Sequence, residues 1–115
     1  MKRIVLLVLA CIFSLTMVAQ EKKNKNKKVE FAVAGNCGMC EKRIEKAAYS
    51  VKGVKSAEWH ADHNIIHLVI DETKCSAEDV AKAIAAVGHD TASVKAQDSV
   101  YEKLHGCCLY ERMKE

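Results

Sequence analysis

Six cysteines, and the spacing of four of them, carry the chemistry available to this sequence of 115 residues. Cys37 and Cys40 enclose Gly38-Met39 as a CxxC pair. Thiolates serve both metal ligation and nucleophilic attack, and a two-residue gap lets both sulfurs converge on one ion. A helix starting here would add partial positive charge and free N–H groups, which lower a thiol pKa. Zinc sites, soft-metal sites and redox sites all use such a pair, so context must choose among them. A second pair, Cys107-Cys108, follows His105-Gly106 near the end of the chain. Adjacent cysteines rarely bond to each other, because the small ring strains the peptide between them. Two readings stay open for the tail. One of its cysteines forms a disulfide elsewhere in the protein. Alternatively the tail folds back and offers soft ligands to the Cys37/Cys40 site, or makes a site of its own with His105. Four thiolates would suit Zn(II) or a Cu(I) cluster, whereas two in near-linear array suit Cu(I) or Hg(II). Cys75 is expected as buried packing. His60, His63 and His67 fall in one hairpin at exposed positions, with a separate histidine site as the alternative.

The elements that position these residues follow from periodicity. Val29, Phe31 and Val33 alternate with Glu30 and Ala32, as in a strand with one buried face. A turn at 35–38 leads to a helix over 39–50, with Cys40, Ile44, Ala47, Ala48 and Val51 inward and Lys42, Arg43 and Lys46 outward. Gly53 closes it. Ala57, Trp59 and Ala61 alternate in a second strand, 61–64 turns, and 65–70 is a third strand. Ser76 and Asp79 fit a capping box for a helix carrying Val80, Ala83, Ile84 and Val87, which Gly88 ends. Ala92, Val94 and Ala96 alternate as a short last strand. The order βαββαβ predicts an α+β, ferredoxin-like sandwich: an antiparallel sheet with two helices on one face. A short C-terminal extension, 97–115, follows, with a brief helix expected near 99–104.

Cys40, Ile44, Glu45 and Ala47, then Gly53-Val54, repeat in register a known motif, and Asp71, Ser76, Glu78, Asp79 and Gly88 extend the match. Over 29–95 the sequence resembles the heavy-metal-associated domain of copper chaperones, metal-pumping ATPases and the periplasmic mercuric-ion binding protein. The resemblance implies metal held at Cys37 and Cys40. It also places His89 over the metal loop, where it would ligate, tune the charge of a dithiolate, or remain a partly solvated loop residue. Ala34-Gly35-Asn36 replaces the family's usual Gly-Met-Thr before the first cysteine. Met39 is expected to supply the packing of the missing methionine, with thioether ligation as the alternative.

Charge distribution narrows the function further. Lys2 and Arg3 precede a nearly unbroken apolar run over 4–18, shorter than the roughly 20 residues that span a bilayer. Residues 1–19 therefore read as a signal peptide, with Cys11 discarded and an uncleaved anchor as the alternative. Residues 20–28 hold five lysines and read as a solvated tether. From 29 onward 11 basic residues face 14 acidic ones, so the body is mildly acidic and offers no basic face for nucleic acid. The expected organisation is signal peptide, tether, heavy-metal-associated domain over 29–96 and C-terminal extension. The expected function is that of a non-enzymatic periplasmic chaperone or scavenger. Its ion is Cu(I), with Zn(II) and Hg(II) as alternatives, passed by thiolate exchange to a partner such as a metal-transporting membrane protein. The protein is expected to be a monomer or a metal-bridged dimer. The competing function is a thiol-disulfide oxidoreductase using the same CxxC. Thioredoxin-like folds set a cis-proline against the dithiol, and this chain has no proline.

Overall fold

Three strands and two helices form where apolar residues recur with the matching period. The computed structural model describes residues 23–113. The expected signal peptide and the first residues of the tether lie outside them. Strands β1 (Lys27–Ala32), β2 (Val54–His60) and β3 (Ile65–Ile70) pair antiparallel in the order β1-β3-β2. The register sets Phe31 and Trp59 opposite Ile66, and Val29 and Ala57 opposite Leu68, so one face of the sheet is apolar. Helices α1 (Gly38–Tyr49) and α2 (Ala77–Ala86) cover that face with Cys40, Ile44, Ala47, Ala48, Val80 and Ile84. Burial of these side chains supplies most of the driving force for the fold.

Both helices end or begin as their local sequence dictates. Ser76 Oγ accepts from the Asp79 amide at 3.2 Å while Asp79 Oδ2 accepts from the Ser76 amide at 3.0 Å, completing the capping box. After α1 the chain turns through Gly53 at φ 106°, where a Cβ would also lie 2.8 Å from Lys74 Cβ. One turn apart on α1, Glu45 and Tyr49 reach over the open edge of β2. Glu45 Oε2 accepts from the Trp59 amide at 3.0 Å, and the Tyr49 hydroxyl accepts from the Ala57 amide at 3.1 Å. These contacts satisfy edge N–H groups that would otherwise be free to pair with another chain.

Three features depart from the sequence expectation. β1 starts at Lys27, and Lys27 Nζ lies 2.8 Å from Glu72 Oε1, so the end of the lysine-rich stretch belongs to the sheet. The inward face of α2 includes Ala81 and Ala85, whereas Ala83 and Val87 are only partly buried. The last strand is reduced to one bridge, Val33 to Thr91. Beyond it the Thr91 amide donates to Val94 O at 2.8 Å, and the Ala96 amide donates to Asp90 Oδ1 at 2.8 Å. These bonds turn the chain away from the sheet. A short helix, α3 (Asp98–Tyr101), then delivers Leu104 against Gly88, and a 3₁₀ turn spans Gly106–Cys108. Among the described residues no helix is long and apolar enough to cross a membrane.

Candidate metal centre

The loop between β1 and α1 rests on Trp59. The indole Nε1 donates to Val33 O at 2.9 Å, and the six-membered ring lies under Gly35, where a Cβ would come within 3.0 Å of it. Trp59 thus fills the space beneath the loop that Met39 was expected to fill. Met39 is instead 46% exposed, and its sulfur accepts from the Cys107 thiol at 3.6 Å.

Cys37 is the N-cap residue of α1, and Cys40 lies in its first turn. The Cys40 N–H is the main influence on the Cys37 thiol, which it brings down to about 7 with help from the Met39 N–H and against some desolvation. Cys40 is fully buried, and that burial pushes its thiol up to about 11. The Cys37 and Cys40 sulfurs are 3.8 Å apart.

A third sulfur comes from the tail. Cys108 is fully buried, and its Sγ lies 3.7 Å from that of Cys37. The three sulfurs all fall within 4.8 Å of one another. Metal–sulfur bonds of about 2.3 Å place three ligating sulfurs roughly 4 Å apart around one ion. The set is therefore spaced to share an ion without rebuilding the loop. Cys107 points outward, 3.9 Å from Cys108 and outside this group. His105 is exposed at the start of the 3₁₀ turn, where its carbonyl accepts from the Cys108 amide at 2.7 Å. Cys75 is buried away from the cluster, beside Gly53.

His89 is placed apart from the three sulfurs and is occupied otherwise. It is fully buried, and its Nδ1 donates to Ala34 O at 2.9 Å, while its Nε2 faces Arg43 Nη1 at 3.5 Å. Burial lowers its pKa and keeps the ring neutral, with the Ala34 carbonyl opposing. The histidine thereby fixes the backbone leading into the cysteine loop.

What holds Cys108 in place is a network that local sequence patterns do not reveal. Tyr110 is buried, donates to Gly88 O at 2.6 Å, accepts from the Asp90 amide at 2.8 Å and stacks on His89. Asp90 has no exposed side-chain surface and pairs with Arg112 through Nε at 2.7 Å and Nη2 at 3.0 Å. The Met113 amide adds a bond of 3.1 Å to the same carboxylate. Burial works against the Asp90 charge, yet Arg112 and the Ala96 and Met113 amides hold the carboxyl below its usual range. The guanidinium also lies 4.6 Å over the Tyr101 ring. The one sequence signal was an acid after His89 and a base in the tail, with nothing to pair them.

No family model and no curated protein matches this sequence. Solved structures do. The CopZ metallochaperone has a TM-score of 0.56 and 25% identity, matching 57% of this chain and 100% of its own. The N-terminal domain of a potential copper-translocating P-type ATPase from Bacillus subtilis, in its Cu(I)-loaded state, has a TM-score of 0.55 and 26% identity over 65% of this chain and 95% of that one. The fold is that of the heavy-metal-associated domain. The N-terminal domain of the zinc(II) ATPase ZiaA is similar too, at a TM-score of 0.52 and 25% identity over 64% of this chain and 73% of that one. The match takes in 57% of this chain and the whole of the CopZ chain, so the rest of this chain has no counterpart there.

Proposed function

We propose that the protein is an exported, non-enzymatic holder of a soft metal ion, with Cu(I) as its cargo and Cys37, Cys40 and Cys108 as ligands. The observation that carries this reading is the convergence of three sulfurs within 4.8 Å, two of them fully buried. Thiolates favour soft ions, and Zn(II) in a closed protein site asks for a fourth ligand. Cys107 is exposed and its thiol donates to the Met39 sulfur, so the enclosed set is of three sulfurs, which suits Cu(I); drawing in Cys107, 3.9 Å from Cys108, would make the four-sulfur set that suits Zn(II). Hg(II) shares the same preference for sulfur. The likeness to a metallochaperone and to a Cu(I)-loaded ATPase domain supports the same conclusion. One chain supplies all three sulfurs, so a monomer is sufficient. Loading displaces the thiol protons, the buried Cys40 proton included. Release to a partner, such as a metal-transporting membrane protein, requires an incoming thiolate to displace one of the three.

Anaerobic Cu(I) titration of the reduced protein tests this reading. One tightly bound equivalent is expected, and Cys37→Ser/Cys40→Ser should lose it. Unchanged binding in that variant would overturn the site. Insulin reduction by the metal-free protein would instead favour the oxidoreductase.

A further inference from the structure

The opposite face of the sheet carries a second cluster of ligating side chains. His60 ends β2, His67 lies on β3 and His63 stands in the turn between them. Their ring centroids are 5.1 Å (His60 to His67), 5.2 Å (His60 to His63) and 6.0 Å (His63 to His67) apart. Metal–nitrogen bonds of about 2.0–2.1 Å at tetrahedral angles put three imidazole centres roughly 5 Å apart. The ring separations thus match those of ligands on one ion, while the nitrogens do not yet converge: His60 and His63 stack nearly parallel, at 21°, so binding an ion requires the exposed side chains to turn.

The carboxylates around them complete the pattern. His63 Nδ1 lies 3.0 Å from Asp62 Oδ1, and His67 Nδ1 lies 3.1 Å from Glu30 Oε2. A carboxylate on one ring nitrogen fixes the tautomer and leaves Nε2 as the donor to a metal. Glu58 Oε2 is 3.9 Å from His60 Nε2, too far for a hydrogen bond, so either nitrogen of His60 can turn inward. Three protonated imidazoles this close would repel one another, whereas three neutral ones can share a cation. Imidazole with nearby carboxylate selects borderline divalent ions, not the soft ions that thiolates prefer.

We propose that His60, His63 and His67 form a second metal site, for Zn(II) or a similar borderline divalent ion, with Asp62 and Glu30 orienting two of its rings. The site is independent of the three-sulfur centre. Trp59 points inward beneath the cysteine loop, while its neighbour His60 points outward. The three histidine side chains are 43–46% exposed, so an ion can reach them directly from solvent. The fourth position is left open to water.

Zn(II) titration of the reduced full chain against a chromogenic chelator tests the proposal. The histidine ring nitrogens are followed by long-range ¹H–¹⁵N correlation. Wild type should bind an equivalent that shifts the ring nitrogens of His60, His63 and His67 together, whether or not the sulfur centre takes another. His63→Gln/His67→Gln should lose that equivalent and keep its fold, because both side chains are exposed. Cys37→Ser/Cys40→Ser should show the converse, retaining the histidine-shifting equivalent. That variant separates failure of the sulfur centre from failure of the histidine site. If the ring nitrogens of the trio do not move on Zn(II) addition, or if His63→Gln/His67→Gln binds as wild type does, the second site does not exist.

Discussion

Two arms of the chain meet at the sulfur cluster, and they are built by different physics. The loop arm sets Cys37 and Cys40 three residues apart across the first turn of α1, so local helix geometry alone brings their sulfurs to 3.8 Å. The tail arm brings Cys108 to 3.7 Å from Cys37 across 71 residues of sequence. No local rule does that. It is done by the pairing of the buried Asp90 carboxylate with the half-buried Arg112, a buried tyrosine hydroxyl and a stacked histidine. A short-range site can be read from spacing, whereas a long-range one depends on which distant partners the fold happens to join.

The difference can be probed by damaging each arm separately. Trp59→Ala removes the floor of the loop arm and a large part of the core. A loss of about 3–5 kcal/mol in urea unfolding is expected, with Cys40 becoming open to alkylation. Stability close to wild type would mean that the loop does not rest on the indole. Arg112→Met should instead release the tail arm. It leaves the fully buried Asp90 carboxylate without its cation, at a cost of about 3 kcal/mol. Cys108 should then label rapidly with a maleimide while Cys40 stays protected; equal protection of both would show that the ion pair does not anchor the tail.

Gly35→Ala is a milder test of the loop arm. The new methyl group meets the Trp59 ring at 3.0 Å and Cys40 Cβ at 3.2 Å, and overpacking of this kind costs about 1–3 kcal/mol. Urea midpoints measure it, and tail labelling should be unaffected. The smallest effect is expected from pH. Asp90 is held below its usual pKa when folded, so its contribution is complete above an unfolded value of about 3.9. It disappears as pH falls through the folded value. The stability gap between wild type and Asp90→Asn should therefore be constant from pH 7 to about 5 and close in stronger acid. A gap that does not begin to narrow as pH falls below the unfolded value would place the coupling elsewhere.

The legible parts of the molecule are the local ones. The alternation at Ala57 and Trp59, the Ser76/Asp79 box and the i, i+4 pattern of α1 all state their structure within a few residues. The βαββα order followed from them, and the resemblance to the heavy-metal-associated domain from Cys40, Ile44, Glu45, Ala47 and Gly53-Val54; the fold bears both out, without the last strand. What the sequence could not state was tertiary. The alternation at Ala92, Val94 and Ala96 is that of a strand, yet Asp90 captures the Ala96 amide and bends the chain away. Met39 had the chemistry to pack under the loop, but Trp59 reached that space from β2. His89 offered a ligand by type, but the Ala34 carbonyl and Arg43 engage its nitrogens. Cys108 was a candidate by type as well. Only Tyr110 and Arg112 distinguish it from the outward-facing Cys107.

X-ray absorption at the copper edge of the Cu(I)-loaded full chain counts the sulfurs around the ion, and so decides whether the tail completes the metal centre as proposed. Three sulfurs are expected in wild type and in Cys107→Ser, falling to two in Cys108→Ser. Two sulfurs in wild type, unchanged by Cys108→Ser, would contradict the claim and leave a simple CxxC dithiolate.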